Sequence, residues 1–332
     1  MERLLEIKDL YVQYETDDGV IYAVNGLDVW VDKGETLGLV GETGAGKTTT
    51  ALSVLKLLPD RIGKITKGSI VLDGVNIIDS SETEMQKIRG NKVSMIFQDP
   101  MTSLNPILPV GDQIEEVLKL HRNMSKQERS KQVDAIMEMV GLPAERKTDY
   151  PHQFSGGMKQ RIVIAMALAC EPQLLLADEP TTALDVTIQA QVLQLMNKLK
   201  QKLGMAMLLI THDLGIVAQT CDRVAVMYSG EVIEIGTVQD IFESDKHHPY
   251  TVGLFGSIPD MEKETKRLQP IPGLMPDPSI LYSGCRFSDR CPHCSEECRQ
   301  EKPALFVEGT HRIWCNRFVV KDAQNDSGGM TE

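Results

Sequence analysis

The stretch Gly41-Glu42-Thr43-Gly44-Ala45-Gly46-Lys47-Thr48 fits the pattern G-x-x-x-x-G-K-[ST] at every fixed position. Glycines in this pattern let backbone N–H groups converge on a phosphate at a helix N-terminus, where the helix dipole also favours an anion. The lysine reaches the β- and γ-phosphates of a nucleoside triphosphate, and the Thr48 hydroxyl is a ligand for Mg²⁺. The apolar run 36–40 predicts a strand before the loop, and a helix is expected from Gly46 onwards. The sequence therefore predicts a phosphate loop between a strand and a helix.

A second predicted strand, over 174–177, ends in two carboxylates, Asp178 and Glu179. Beside a phosphate loop, Asp178 is placed to hold Mg²⁺ directly or through water, and Glu179 to orient and deprotonate an attacking water. Two acids after an apolar strand also occur at plain solvated strand ends. The phosphate loop upstream is what favours the catalytic interpretation.

A second helix start that exposes backbone amides lies at Ser155-Gly156-Gly157, with Ser155 as the expected N-cap. By itself this stretch is better explained as an ordinary capped helix. The order of the motifs along the chain favours a functional interpretation, because the stretch follows the phosphate loop and Gln98 and precedes the acid pair and His212.

This ordered set resembles the ABC ATPase family, and the resemblance covers residues 1 to about 320. It implies that residues 155–157 form the signature that binds ATP held by the opposite subunit, and that Asp185 belongs to the D-loop. Gln98 resembles the Q-loop glutamine near Mg²⁺, and His212 the switch histidine that senses the γ-phosphate. Asp178 and Glu179 resemble the Walker B acid and the catalytic base.

The resemblance and the motif chemistry together nominate three sets of residues. The candidate catalytic residues are Glu179, His212 and Gln98. The candidate Mg²⁺ ligands are Thr48, Gln98 and Asp178. The candidate ATP-binding residues are Tyr14, Gly41, Glu42, Thr43, Gly44, Ala45, Gly46, Lys47, Thr48, Thr49, Gln98, Ser155, Gly156, Gly157, Asp178 and Asp185.

Two features depart from the common family pattern. The usual signature Leu-Ser-Gly-Gly-Gln reads Phe154-Ser155-Gly156-Gly157-Met158 here. The serine and glycines that contact phosphate remain, so we expect ATP binding to survive without the hydrogen bond of the usual glutamine. The aromatic residue that stacks on adenine is either Tyr14 or Tyr22. We favour Tyr14, and an ordinary strand tyrosine stays open as the alternative for both.

The composition describes an ordinary globular chain of 332 residues with a net charge of −12. An acidic balance argues against a general nucleic-acid or anionic-membrane binder, which would present a basic face. No apolar run reaches 18 residues, and the first residues alternate like a strand and do not form the apolar core of a signal peptide. We therefore expect a protein of the cytoplasm, without its own membrane span.

The predicted fold class is α/β, an ABC-type P-loop ATPase. It combines an N-terminal antiparallel β subdomain, a mainly parallel core sheet, an inserted helical subdomain and a C-terminal cysteine-rich extension. Six prolines between 249 and 278 predict a largely irregular backbone after about residue 240. The predicted domains are an ATPase domain at 1–240 with its helical subdomain at about 100–160, an extension at 241–320, and a flexible tail at 321–332.

Three stretches resemble the oligopeptide and dipeptide importers within the family: 98–106, 154–161 and 248–251. The second of these resembles the first of the two ATPase subunits of a dipeptide transporter. The resemblance implies import of di- or oligopeptides, two permease subunits, a second and different ATPase subunit, and an external peptide-binding protein. It also implies a peripheral position on the cytoplasmic face of the membrane, with the helical insert and the 98–106 loop contacting the permeases. No nucleic-acid partner is expected.

Three alternatives stay open at this point. The cargo could be nickel or another small solute. The chain could be a soluble ABC protein of translation or DNA repair, although those usually carry two cassettes or a long coiled coil. It could also be a regulatory ATPase whose cysteines sense redox state or metal.

Five of the seven cysteines crowd between Cys285 and Cys315, with the spacing C-x5-C-x2-C-x3-C-x16-C. In a chain expected in the cytoplasm, such a cluster indicates metal binding before disulfides. Similar transporters carry four cysteines that match Cys285, Cys291, Cys298 and Cys315, which implies a [4Fe–4S] cluster of structural role. Cys294 is extra to that pattern. Tetrahedral Zn²⁺ is the main rival, and unligated surface thiols are the plainest alternative.

Overall fold

The computed structural model describes residues 2–182, 184–257 and 270–319. The described strands are β1 (Arg3–Thr16), β2 (Gly19–Asp32), β3 (Thr36–Val40), β4 (Gly63–Leu72), β5 (Val75–Asn76), β6 (Val93–Ile96), β7 (Leu174–Asp178), β8 (Ala206–Thr211), β9 (Arg223–Tyr228), β10 (Glu231–Thr237), β11 (Leu305–Glu308) and β12 (His311–Trp314).

The helices cover the sheets and form one separate group in the middle of the chain. They are α1 (Lys47–Val54), α2 (Glu82–Ile88), α3 (Pro100–Ser103), α4 (Val110–His121), α5 (Lys126–Met139), α6 (Gly156–Leu168), α7 (Val186–Leu203), α8 (Leu214–Thr220), α9 (Val238–Glu243), α10 (Pro249–Gly256) and α11 (Glu296–Gln300). None of these helices is long and apolar enough to cross a membrane.

The larger sheet has the strand order β11-β12-β10-β9-β3-β8-β7-β6, with β3 near its centre. β3 pairs in parallel with β8 and β9, and β7 pairs in parallel with β6 and β8. Every residue of β3, β7 and β8 is buried, as expected for parallel strands covered on both faces. The carboxyl ends of these parallel strands meet at one edge, which gathers the loops that follow them. The predicted mainly parallel core sheet is confirmed.

The smaller sheet is antiparallel, in the order β2-β1-β4-β5. In β1 the buried apolar positions change phase, from Leu5 and Ile7 to Leu10 and Val12. The change falls on a register shift around Asp9, which has φ 47°. A one-residue bulge of this kind returns the apolar side chains to the core face after the irregularity. The predicted N-terminal antiparallel subdomain is confirmed.

Helices α3 to α6 form the helical subdomain, whose buried apolar side chains include Val110, Ile114, Leu118, Val133 and Met137. A capping box fixes the start of α5, because the Ser125 hydroxyl accepts from the Glu128 amide and the Glu128 carboxylate accepts from the Ser125 amide. The same apolar core continues into β6, β7 and β8, so the subdomain packs directly against the central sheet.

The segment after residue 240 contains secondary structure that its proline content does not predict. β12 pairs antiparallel with β10 and with β11, so a C-terminal hairpin adds two strands to the core sheet. The expectation of a largely irregular backbone is wrong for this hairpin, because four-residue strands give too short an alternation to be recognised in the sequence. The boundary at 240 stays a prediction, and the predicted tail 321–332 lies outside the described residues.

Candidate nucleotide site and the cysteine-lined cavity

The phosphate loop joins β3 to α1 and depends on two glycines with positive φ. Gly41 has φ 155° and Gly46 has φ 97°. A Cβ atom at Gly41 would lie 2.1 Å from the carbonyl oxygen of Met227, and one at Gly46 would lie 2.4 Å from that of Ala23. Only glycine lets the loop pass this close to β9 and β2.

A cavity of about 310 Å³ adjoins this loop. Residues 43–49 line it together with Tyr14, Gln98 and Glu179. The structure therefore brings predicted residues from four separate segments of the chain to one cavity, at the edge where the parallel strands end.

Lys47 lies buried beneath the loop. Its Nζ donates to the carbonyl oxygens of Gly41 at 2.8 Å and Glu42 at 3.0 Å. Burial lowers the pKa of Lys47, although the nearby carboxylates of Glu179, Asp178 and Glu42 act in the opposite direction. A buried ammonium among carboxylates and carbonyls is suited to receive phosphate oxygens at this place.

Thr48 and Asp178 meet across the end of the sheet. The Thr48 hydroxyl donates to Oδ2 of Asp178 at 2.7 Å. Burial and the charge of Glu179 raise the pKa of Asp178, while the Thr48 hydrogen bond and Lys47 act to lower it. A buried carboxylate next to a hydroxyl supplies the hard oxygen donors that Mg²⁺ prefers.

Three side chains hold Glu179 on the wall of the cavity. Its Oε1 lies 3.0 Å from Nδ1 of His212, and its Oε2 accepts from Gln98 at 3.0 Å and from the Thr182 hydroxyl at 3.1 Å. Burial acts to raise the pKa of Glu179, but these hydrogen bonds outweigh it, so the pKa of the carboxyl lies below its ordinary value. The backbone amide of Glu179 donates to the Ile210 carbonyl at 2.8 Å, which ties the residue to β8.

Of the two candidate tyrosines, Tyr14 is the one that lines the cavity. Its hydroxyl lies 3.1 Å from the Thr49 hydroxyl, at the first turn of α1. Tyr22 is not among the lining residues, and its amide donates to the Pro278 carbonyl at 2.8 Å. The geometry favours Tyr14 as the residue beside adenine, and the role stays a prediction.

Thr182 and Pro278 belong to the site but were not identified from the sequence. Thr182 follows Glu179 by three residues, so its position in the same turn was a usable signal. Pro278 lines the cavity from the C-terminal part of the chain, more than 200 residues beyond the phosphate loop. Nothing in its local sequence predicts that contact.

Comparison with known proteins agrees with this site. The ABC transporter family model matches residues 24–182, and the model of the oligopeptide/dipeptide transporter C-terminal region matches residues 233–298. The dipeptide transport ATP-binding protein DppD of Bacillus subtilis is 49% identical over 95% of this chain and 95% of its own length. The oligopeptide transport ATP-binding protein OppD of Escherichia coli is 48% identical over 91% of this chain and 89% of its own.

The chain belongs to the ATP-binding subunits of peptide ABC transporters. It is an ATP-hydrolysing cassette of that family. Among solved structures, the ATP-binding cassette MJ0796, a dimer in a post-hydrolysis state bound to ADP and Pi, is 30% identical with a TM-score of 0.63. That match covers 70% of this chain and 98% of MJ0796.

In this ABC ATPase the residues predicted to form the signature do not line the phosphate cavity of their own chain. Ser155, Gly156, Gly157 and Asp185 are not among the residues that line it. Ser155 occupies the N-cap position of α6, but its side chain makes no capping hydrogen bond there. Asp185 instead caps α7, accepting from the Ile188 amide at 3.0 Å. Ala183, two residues before Asp185, lies outside the described residues.

A second cavity, of about 260 Å³, is lined by four cysteines: Cys285, Cys291, Cys298 and Cys315. Cys294 does not line it. Three of the sulfurs accept a hydrogen bond from a backbone N–H two residues further on, at Phe287, His293 and Arg317. The four predicted cysteines therefore line one cavity, and Cys294, the extra cysteine, does not line it.

The spacing of these sulfurs bears on what they can hold. Within the described residues, no three cysteine sulfurs all lie within 4.8 Å of one another. A tetrahedral Zn²⁺ with Zn–S bonds of about 2.3 Å requires sulfurs roughly 3.8 Å apart. Burial raises the pKa of Cys285 to about 12, so a bound cation is needed to keep thiolates at this place. The sulfurs are therefore not at the spacing that one tetrahedral zinc ion requires.

One other group of metal-type ligands occurs in the described residues: Glu234, His247 and His311. Nδ1 of His247 and Nε2 of His311 lie 2.7 and 2.8 Å from the same Glu234 oxygen. Ligands on a tetrahedral Zn²⁺ lie about 3.3 Å apart, so these separations are those of hydrogen bonds. Burial acts to raise the pKa of Glu234, but bonds from the histidines and from Thr251 lower it to about 2. The group is a buried hydrogen-bond network that joins β10, β12 and α10.

Proposed function

We propose that this chain binds ATP with Mg²⁺ at the phosphate cavity and hydrolyses it to power peptide import. The observation that carries the proposal is the placement of Glu179 on the cavity wall, where Gln98 and His212 hold its carboxylate. A carboxylate with a lowered pKa is deprotonated at neutral pH and can accept a proton from water.

The hydrolytic step follows from this placement. A water hydrogen-bonded to Glu179 attacks the γ-phosphorus while its proton passes to the carboxylate, and the bond between the γ-phosphorus and the bridging oxygen of ADP breaks. Lys47 and the N–H groups of residues 43–48 stabilise the charge on the phosphate oxygens. ADP and phosphate are the products.

Thr48, Asp178 and Gln98 are the side chains that would hold Mg²⁺. The Thr48 hydroxyl and the Asp178 carboxylate already lie together, and both supply oxygen. When bound, Mg²⁺ neutralises charge on the β- and γ-phosphates. Gln98 has two proposed roles, as a Mg²⁺ ligand and as a catalytic residue, and its amide nitrogen already donates to Glu179.

The signature acts on the nucleotide of a second cassette. Ser155, Gly156 and Gly157 do not line the cavity of their own chain, as expected if they contact a nucleotide held by a second cassette. The related cassette MJ0796 is a dimer. In such a dimer each ATP is bound between the phosphate loop of one cassette and the signature of the other. ATP therefore favours the closed dimer, and hydrolysis lets it reopen, which is a population shift driven by the ligand. The second cassette is a different ATPase subunit.

An apolar groove of about 380 Å³ is the docking surface for a permease helix. It runs between the central sheet and the helical subdomain, and Leu57, Phe97, Val117, Val163 and Met166 line it. Phe97 is 45% exposed and directly precedes Gln98. A permease segment in this groove would therefore contact the chain next to the glutamine that holds Glu179.

The cysteine-lined cavity holds a [4Fe–4S] cluster through Cys285, Cys291, Cys298 and Cys315. What supports the cluster over zinc is the wide spacing of the sulfurs. The cluster is structural, because it anchors a segment with few buried apolar side chains.

Di- or oligopeptides are the cargo, delivered by an external binding protein to two permease subunits, and this chain is peripheral on the cytoplasmic face of the membrane. The relatives are dipeptide and oligopeptide transport proteins, which disfavours nickel and a soluble ABC protein of translation or repair. The domain division at 240, with a helical subdomain at about 100–160, is part of this proposal. The apolar core of the helical subdomain continues into the central sheet, and β12 joins that sheet from beyond residue 240.

Proteoliposomes that contain this chain, its companion subunits and the binding protein test the function directly. With ATP on the side of the ATPase subunits, we expect uptake of a radiolabelled dipeptide, and none when Glu179→Gln replaces the native chain. Uptake of nickel in place of peptide would support the alternative cargo. Peptide uptake that proceeds without ATP would contradict the proposal.

A further inference from the structure

Two residues of the C-terminal extension, Arg290 and Tyr250, contact the phosphate loop at Glu42. We propose that Arg290 and Tyr250 are positioning residues of the nucleotide site: they fix the loop through Glu42 and thereby make ATP affinity depend on the cysteine-bearing segment. The inference rests on the nucleotide role proposed for residues 41–49.

The side chain of Glu42 forms a two-pronged ion pair with Arg290. Nη1 of Arg290 donates to Oε2 at 2.8 Å, and Nη2 donates to Oε1 at 3.2 Å. The side chain of Arg290 is 6% exposed, so the pair is shielded from water on that side. Paired bonds of this kind fix orientation as well as distance.

Arg290 is itself held in place by the extension and the core sheet. Its Nε donates to the Pro272 carbonyl at 2.9 Å, Nη2 to the Ile271 carbonyl at 3.3 Å, and Nη1 to the Tyr228 hydroxyl at 3.3 Å. Because the guanidinium is planar, these contacts leave it little freedom to follow Glu42. The loop side chain therefore adopts the position that the extension sets.

The backbone of Glu42 is held as well. Its amide donates to the hydroxyl of Tyr250 at 2.8 Å. Tyr250 is fully buried, and its ring packs against Tyr228 and Phe287 at centroid distances of 4.6 and 5.6 Å. A tyrosine fixed in this way presents its hydroxyl at one place, which defines where the loop amide lies.

The position of Glu42 matters for the phosphates because Lys47 rests on it. Nζ of Lys47 donates to the Glu42 carbonyl at 3.0 Å and to the Gly41 carbonyl at 2.8 Å. The loop contains glycines at 41, 44 and 46, all with positive φ. Such a loop loses much backbone entropy when it is ordered. The contacts to Arg290 and Tyr250 order it before ATP arrives.

The same residues connect to the cysteine-lined cavity. Arg290 directly precedes Cys291, and Phe287, which packs on Tyr250, donates its amide to the sulfur of Cys285. The turn 288–290 lies between these two cysteines. Whatever fixes the cysteines therefore also fixes Arg290.

The test measures ATP affinity of the purified full-length chain by isothermal calorimetry, together with KM and kcat of the assembled transporter. For Arg290→Gln we expect about 10-fold weaker ATP binding and a raised KM, with kcat within about twofold of wild type. Tyr250→Phe is expected to act in the same direction. Lys246→Gln is the control, since Lys246 is a cation of the same extension in an exposed pair with Glu308, and we expect no change.

Wild-type affinity in Arg290→Gln, or an equal loss in Lys246→Gln, would overturn the inference. Arg290→Lys keeps the charge but loses the paired bond to Glu42, and we expect an intermediate affinity; the thermal midpoint of each variant is measured to separate this effect from misfolding. In a Glu42→Gln background, Arg290→Gln is expected to have no further effect, whereas additive losses would show that Arg290 acts by another route. If the wild-type chain binds no ATP, the proposed function fails, which is a separate result.

The link to the cysteines has its own readout. Cys291→Ala is expected to weaken ATP binding in the native chain but to add nothing once Arg290→Gln is present. The same loss in both backgrounds would contradict coupling through Arg290.

Discussion

Oε1 of Glu179 lies 3.0 Å from Nδ1 of His212, and Oε2 of the same carboxylate accepts the amide of Gln98 at 3.0 Å. The candidate base is thus held by one residue from the loop after β8 and one from the loop after β6. Each of these loops follows a strand whose end lies at the same edge of the sheet. Motifs that are far apart in the sequence meet at one site because the strands that carry them are parallel and end at the same edge of the sheet.

Glu179→Gln is expected to lower ATPase turnover by at least about 100-fold while ATP still binds, since a general base contributes roughly 10²- to 10⁴-fold. Turnover by phosphate release and binding by calorimetry separate the two effects. Glu145→Gln, at an exposed position in the helical subdomain, is the control and is expected to leave both unchanged. Full ATPase activity in Glu179→Gln would remove Glu179 as the base.

His212→Ala is expected to shift the acid limb of the kcat profile to higher pH. Burial acts to raise the pKa of Glu179, and the His212 hydrogen bond is the largest influence that lowers it. Without that bond the carboxylate takes up a proton at a higher pH, and the base is lost earlier as pH falls. The measurement is kcat at saturating ATP across the pH range. An acid limb that does not move would show that His212 does not set the protonation of Glu179.

The local motifs could be identified from the sequence because each is short and lies within a single loop. Lys47 and Thr48 follow directly from the chemistry that a phosphate loop requires, and the structure places both at the cavity. Gln98 and His212 were identified through a family resemblance, and only the structure places them against one carboxylate. Their roles as ligands and catalysts stay predictions.

Contacts between distant segments could not be predicted. Arg290 pairs with Glu42, which lies 248 positions away in the sequence, and neither residue lies in a motif that predicts this contact. The pairing of Ile313 with Glu234 is of the same kind, because it joins a four-residue strand to the edge of the sheet. Such contacts depend on how whole elements pack, which no local propensity encodes.

The buried Glu234 network predicts a defined pH window of stability. The pKa of Glu234 is about 2 in the folded chain, against an ordinary value of 4.5. Its contribution is therefore present above 4.5 and is lost as the pH falls towards 2. The pKa of His247 is raised from its ordinary 6.5 despite burial, because of Glu234. Its contribution is present below 6.5 and is lost as the pH rises through the raised value.

Glu234→Gln is therefore expected to cost about 3 kcal/mol in the free energy of unfolding near pH 6, as for other buried ion pairs that lose one partner. The variant should also show a shallower loss of thermal midpoint below pH 4.5 than the native chain. Glu308→Gln, which breaks an exposed pair with Lys246, is the control and should change the midpoint little. Equal midpoints for Glu234→Gln and the native chain would contradict a stabilising network.

Metal analysis of anaerobically purified chain is expected to find roughly four irons per molecule and a broad absorbance near about 400 nm. Cys291→Ser should lose iron and colour, while Cys294→Ser should keep both, because Cys294 does not line the cavity. Colourless protein with one zinc and no iron would end the cluster proposal. That result would also require the sulfurs to move closer together than they lie in this structure.

Phe97→Glu is expected to weaken assembly with the permeases without affecting ATP binding. Phe97 is 45% exposed and lines the apolar groove between the sheet and the helical subdomain. A carboxylate there would be buried without a partner when a permease helix docks, and that desolvation costs several kcal/mol. Co-purification with tagged permease measures assembly, and calorimetry measures ATP affinity. Leu120→Glu is the matched control, since Leu120 is 74% exposed on α4 but does not line the groove. Loss of assembly in Leu120→Glu with none in Phe97→Glu would place the permease contact on another face of the helical subdomain.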